Sequence, residues 1–150
     1  PEGLAGQYLT FTLGESHYGV PILRVQEIRG HSQLTRIAGQ PPHVLGVMNL
    51  RGMVVPVVDL RRKLGVSSGG DGALDVIIMV TVGDRVTGMV VDAVSDVLVL
   101  DASQIVPPPD VHGGRGPSVL RGMAKTEDRL LSLLHVERAL DLPAESIAAA

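Results

Sequence analysis

The chain has 150 residues, 45% of them hydrophobic, and a formal charge of −3 at neutral pH. That length suits one domain or two small intimate ones burying roughly 70% of the unfolded surface, and that hydrophobic content excludes disorder. One Phe, two Tyr, no Trp, no Cys and no basic excess argue against base-stacking sites, a disulfide framework, thiolate chemistry and an electrostatic footprint for DNA or an anionic membrane.

Strand signals lead from the start. "QYLTFTL" (7–13) alternates up to Gly14, and "HYGVPIL" (17–23) follows a short polar turn, which predicts a hairpin. "QPPHVLG" (40–46) suggests one helical turn. The apolar run "GVMNLRGMVVPVVDL" (46–60) carries an arginine near its middle. Asp59 then reads as the N-cap of a short helix, "LRRKL", closed by Gly65. "DVIIMVTV" (75–82), "RVTGMVVDAV" (85–94) and "DVLVL" (96–100) are further strands, and "LHVERALDL" (134–142) is a helix near the C-terminus. Two glycine- and proline-rich segments, 65–74 and 106–118, read as flexible. No apolar run reaches the roughly 20 residues that span a bilayer, and no signal peptide opens the sequence.

The halves repeat. Residues 14–28 lie over 83–97 without a gap, so that Gly14 meets Gly83, Gly19 meets Gly88, Val25 meets Val94 and Glu27 meets Asp96. "LRGM" occurs at 50–53 and again at 120–123, each copy leading to an apolar strand and a short helix. The pattern predicts an all-β fold of two small β-barrels packed together, with a single β-sandwich as the alternative. It also sets an acid against an arginine in each half, Glu27 with Arg51 and Asp96 with Arg121. Arg51 therefore either meets Glu27 across neighbouring strands or snorkels at a barrel rim.

Chemistry is sparse. Histidines 17, 31, 43, 112 and 135 are scattered without metal spacing, and Ser16–His17 point apart if the hairpin alternates. Asp92, Asp96 and Asp101 offer an acid pair, although acids at strand ends are usually solvated or cap turns, and the glycines at 113, 114 and 116 lack the Lys-Ser/Thr of a phosphate loop. The expectation is no catalytic residue, no metal and no cofactor. Apolar β-surface on a small barrel instead suggests a protein contact. A small β-barrel enzyme or ligand-binding protein using Asp92, Asp96 and the loop at 110–116 is the rival reading.

The blocks "YLTFTLGESHYGVPILRVQEIRG", "TRIAGQPPHVLGVMNLRGMVVPVVDLRRKLG" and "RVTGMVVDAVSDVLVLDASQIVPPPD" closely resemble the CheW family of bacterial chemotaxis coupling proteins, from about Tyr8 to Leu140. The resemblance implies two five-stranded SH3-like β-barrels around a shared core. Residues 1–150 then form a single CheW-like domain, with halves at approximately 8–64 and 74–140. It implies a non-enzymatic cytoplasmic scaffold, recruited to receptor arrays, with no nucleic acid and no direct membrane insertion. Its partners would be the histidine kinase CheA, through that kinase's CheW-like regulatory domain, and the cytoplasmic tips of chemoreceptors. A CheW-like regulatory domain of a larger chemotaxis protein is the alternative within the resemblance. Residues matching family positions tied to receptor and kinase coupling are Val25, Glu27, Gly46, Arg51, Gly88, Val94 and Val97. Kinase contacts would lie at the barrel ends, and the receptor helix in an apolar groove between the barrels near Val25, Val94 and Val97.

Overall fold

Hairpins set the frame. The computed structural model of the protein describes residues 5–30, 34–66, 75–108 and 119–140. The first alternating run becomes β1 (Gly6–Leu13) and β2 (Ser16–Pro21), and its counterpart becomes β6 (Val76–Val82) and β7 (Arg85–Val91). Each hairpin turns through two residues, Leu13 pairing with Ser16 and Val82 with Arg85. Gly14 and Gly83 adopt φ of 61° and 62° at the first turn position, which only glycine takes without strain.

A 3-10 turn at Ile22–Arg24 leads from β2 into β3 (Val25–Gly30), and Asp92 leads from β7 into β8 (Ala93–Leu100). β4 (Val44–Leu50) and β5 (Met53–Asp59) form a hairpin that runs into α1 (Leu60–Leu64). After the two-residue β9 (Ile105–Val106), the same plan recurs in β10 (Leu120–Lys125), β11 (Leu130–Leu134) and α2 (Val136–Ala139). Asp59 caps α1 as expected, accepting from the Arg61 N–H at 3.1 Å, and Gly65 ends it at φ 73°. "QPPHVLG" makes no helical turn: Pro42 and His43 bend the chain and β4 begins at Val44. The segments 67–74 and 109–118, with most of the two glycine- and proline-rich stretches, lie outside the described residues.

The strands form two sheets, of order β8-β1-β2-β11-β10-β9 and β3-β6-β7-β5-β4. This is the arrangement of two SH3-like β-barrel subdomains, one with a sixth short strand. The sheets do not follow the halves at 8–64 and 74–140. Hairpin β1–β2 joins the later strands and hairpin β6–β7 joins the earlier ones, through parallel pairs β2–β11 and β5–β7. The exchange follows from the crossovers at 22–24 and 92, which carry the chain from one sheet to the other after each hairpin.

Alternation along the exchanged strands explains why both faces are apolar. On β6, Ile77 and Met79 point into the core of the five-stranded sheet, while Ile78 and Val80 join a second cluster. On β1, Tyr8 enters the core of the six-stranded sheet, while Leu9, Phe11 and Leu13 join that same second cluster. A shared core therefore lies between the two sheets, filled from both, in addition to one core inside each. Burying both faces of a strand yields the near-continuous Val/Ile/Leu runs of the sequence. Among the described residues no helix is long and apolar enough to cross a membrane.

Candidate protein-coupling site

Arg51 stands in a turn, not on a strand. Leu50 pairs with Met53, leaving Arg51 (φ 51°) and Gly52 (φ 85°) as the two-residue tip of hairpin β4–β5. Two successive positive φ angles match a type I′ turn, and an arginine at such an angle is strained by about 1 kcal/mol. Asn49 steadies the tip, its Oδ1 accepting from the Gly52 N–H at 2.7 Å. The tip arginine then donates from Nη1 to Glu27 Oε1 at 2.8 Å. β3 and β4 are at opposite ends of their sheet rather than neighbours, so the expected pair forms, but across the closure of a curled sheet. With 69% of its side chain exposed against 24% for Glu27, Arg51 is both paired and solvated. Glu27 has a further partner that the sequence reading missed, Arg29, whose Nε donates to Oε2 at 2.5 Å. The Arg29 bond first, and the Arg51 bond second, hold the Glu27 carboxyl below the usual carboxylate range.

Asp96 occupies the equivalent place on β8, but not with Arg121. Its carboxylate takes Arg129 Nη2 at 3.1 and 3.2 Å, from the turn between β10 and β11. The buried Thr10 hydroxyl donates to Asp96 Oδ1 and accepts from the Asp96 N–H at 3.1 Å. Thr10 foremost, then Arg129, lowers the Asp96 carboxyl. The "LRGM" repeat misled because its copies are not equivalent: the first spans a hairpin tip, the second opens a strand. The equivalence that holds aligns Val44 with Leu120 and Gly46 with Gly122, each pair flanking a bulge, and Asp59 with His135, the caps of the two helices.

Those bulge glycines have a steric reason. A Cβ on Gly46 would come within 2.4 Å of the Thr35 carbonyl oxygen, and one on Gly122 within 2.9 Å of that of Val106. Gly88 is wedged where β7 meets β5, its would-be Cβ 3.0 Å from Ile77 and 3.3 Å from Val57. Gly46 and Gly88 are thus buried backbone positions. Val25 and Val94 are partly buried, and both pack against the shared core, opposite Val80 and Phe11. Val97 is 47% exposed, so it is no inward core residue. Its counterpart by the repeat is Ile28, also missed, at 45%. Each lies opposite a shared-core residue, Val97 across from Leu9 and Ile28 across from Ile78. The offset that aligns Val25 with Val94 would have found it.

The acids that the sequence offers for catalysis are otherwise engaged. Asp92 Oδ1 takes Arg61 Nη1 at 2.7 Å and its Oδ2 accepts from the Gly14 N–H at 2.7 Å. Asp101 belongs to a capping box with Gln104. Arg61, 10% exposed, also meets Asp59 at 3.0 Å and Asp75 at 2.9 Å. Burial opposes its charge, but the three carboxylates outweigh that and raise its pKa. Among the described residues no group of His, Asp and Glu could hold a metal ion; His31, His112 and the glycines at 113, 114 and 116 lie outside them.

Known proteins share this arrangement. The family described as CheW-like domain matches residues 7–144. Chemotaxis protein CheW of Klebsiella aerogenes is 44% identical over 139 residues, covering 93% of this chain and 84% of that protein. The protein of the same name from Rhizobium meliloti is 37% identical over 131 residues, covering 87% and 84%. The crystal structure of scaffolding protein TtCheW from Thermoanaerobacter tengcongensis superimposes with a TM-score of 0.84 at 30% identity, covering 93% of this chain and 94% of that one. The chain belongs to the CheW family.

Proposed function

We propose that this chain is a chemotaxis coupling scaffold, turning over no substrate of its own, that holds the regulatory domain of the kinase CheA and the helical tips of chemoreceptors at once. The observation that carries the reading is 44% identity to a chemotaxis protein CheW over 93% of the chain. The surface suits the role. Val97 and Val99 on edge strand β8, and Ile28 on edge strand β3, expose apolar side chains beside the shared core, where an amphipathic receptor helix could bury its apolar face. Val25 and Val94, on the same two strands, pack against the shared core. Glu27 and Arg51 supply charge where the tip of hairpin β4–β5 meets β3. Gly46 and Gly88 act on coupling only through strand geometry. The scaffold works in the cytoplasm and is recruited to receptor arrays.

Reconstitution with cognate receptor and kinase tests this. Kinase activity should rise only when receptor, kinase and this chain are combined. If the chain binds neither the CheA regulatory domain nor a receptor tip fragment, the reading is wrong. Stoichiometric nucleotide binding by calorimetry would instead point to chemistry.

A further inference from the structure

Glu27 divides its two oxygens between arginines of different standing. Arg29 lies two residues along the same strand, hence on the same face, and is about one-third exposed. Arg51 reaches in from the far end of the sheet, mostly solvated, through one N–H. In the other sheet the residue in Arg29's place is Leu98, and Arg129 meets both oxygens of Asp96. Only the Glu27 carboxylate therefore keeps a guanidinium if its tip arginine departs.

We propose that Arg29 is a positioning residue of the coupling site: it holds the Glu27 carboxylate in place, so that Arg51 can exchange Glu27 for a carboxylate of a bound partner. The proposal rests on the coupling reading above. An exposed pair joined by a single hydrogen bond is weak, so releasing it is easy. Without Arg29 the same release would leave the Glu27 carboxylate with no guanidinium at all, which opposes the exchange. The tip backbone is fixed by its two-residue turn and by Asn49, so only the Arg51 side chain has to move.

The test uses Arg29→Leu, which copies the other sheet, and Arg29→Lys, each in the unaltered chain and in a Glu27→Gln background. NMR titration follows the Glu27 carboxyl, titrations with the CheA regulatory domain and a receptor tip fragment follow binding, and circular dichroism follows folding. Arg29→Leu should move the Glu27 titration to higher pH, by more than Arg51→Ala does. It should also weaken partner binding about threefold to tenfold. Lysine should restore part of both, and the binding loss should vanish in the Glu27→Gln background. If the leucine variant unfolds, the lysine variant should show the same order at smaller size. A Glu27 titration indifferent to Arg29, or a binding loss that persists with Glu27→Gln, overturns the proposal while leaving the scaffold intact. Failure of the unaltered chain to bind either partner sinks the scaffold reading, and the exchange with it, independently of the titration.

Discussion

Where β7 hands the chain to β8, Asp92 meets Arg61 on α1; where β2 hands it to β3, Arg24 meets Glu137 on α2. The carboxylate in each pair also accepts from a hairpin glycine, Asp92 from the Gly14 N–H at 2.7 Å and Glu137 from the Gly83 N–H at 3.4 Å. The plan repeats while the signs reverse. An acid at the first crossover answers a base on the helix, and a base at the second answers an acid. What the repeat preserves is an opposite charge across the junction and an acceptor for the turn, not the residue that supplies either. Surroundings differ too. Arg61 is buried among three carboxylates, whereas Arg24 and Glu137 are both more than one-third exposed.

That contrast predicts the largest difference between equivalent substitutions. Arg61→Met removes the cation that Asp59, Asp75 and Asp92 share, leaving Asp59 only the more distant Arg62 at 3.7 Å, and should cost about 3 kcal/mol of stability. Arg24→Met removes a partly solvated pair and should cost about 1 kcal/mol or less. Urea denaturation of the two variants measures both. Equal losses would mean that the junctions are alike despite their burial.

The bulge glycines come next. Gly46→Ala meets both a backbone oxygen at 2.4 Å and a φ of 150° that side chains rarely adopt, and should cost about 2–3 kcal/mol. Gly122→Ala meets only a backbone oxygen, at the longer distance of 2.9 Å, and should cost about 1–2 kcal/mol. Coupling activity at 20 °C should fall in step with the folded fraction for Gly46→Ala. A folded Gly46→Ala protein with coupling abolished would make Gly46 a contact surface instead.

Much of this was legible in the residues. Alternation on both sides of a short polar turn predicted the first hairpin, the repeat aligned Gly83 with Gly14, and Asp59 predicted a helix start because an exposed N–H needs an acceptor. Strand exchange was not legible: which sheet a hairpin joins depends on crossovers whose direction no local pattern records. The Glu27–Arg51 pair was found for an incorrect reason, since sequence spacing suggested neighbouring strands where the sheet instead curls. Asp96 was given Arg121 because "LRG" looked like a repeat, although the true partner Arg129 comes from a turn longer than its counterpart. Arg61 escaped notice because its three acids are brought together only by folding.

The hairpin tips should differ less than the glycines. Double-mutant cycles for Glu27 with Arg51, and for Asp96 with Arg129, should each show favourable coupling. Arg129 should couple more strongly because its side chain is only 19% exposed where that of Arg51 is 69% exposed. Both acids have lowered folded pKa values, so their stabilisation is complete above the ordinary carboxylate range and lost as pH falls through those depressed values. Glu27→Gln and Asp96→Asn should therefore each flatten the acid limb of stability against pH. Strict additivity in stability and in partner binding would show that Arg51 only snorkels.

Val97 and Ile28 should differ least in stability and most in function. Both are nearly half exposed on edge strands and both stand opposite a shared-core residue, so aspartate at either site reaches water and should lower stability by about 1 kcal/mol or less. An incoming receptor helix would desolvate that new charge, at a penalty on the order of 2 kcal/mol or more. Val97→Asp should then weaken binding of a receptor tip fragment at least tenfold while leaving the isolated CheA regulatory domain nearly unaffected. Ile28→Asp asks whether the groove uses both strips. Equal receptor losses place the helix across the shared core, touching β3 and β8 together, whereas a loss confined to Val97→Asp places it along β8 alone. A folded Val97→Asp protein that loses both partners equally would sink the separation of surfaces, because one strip cannot then serve receptor and kinase apart.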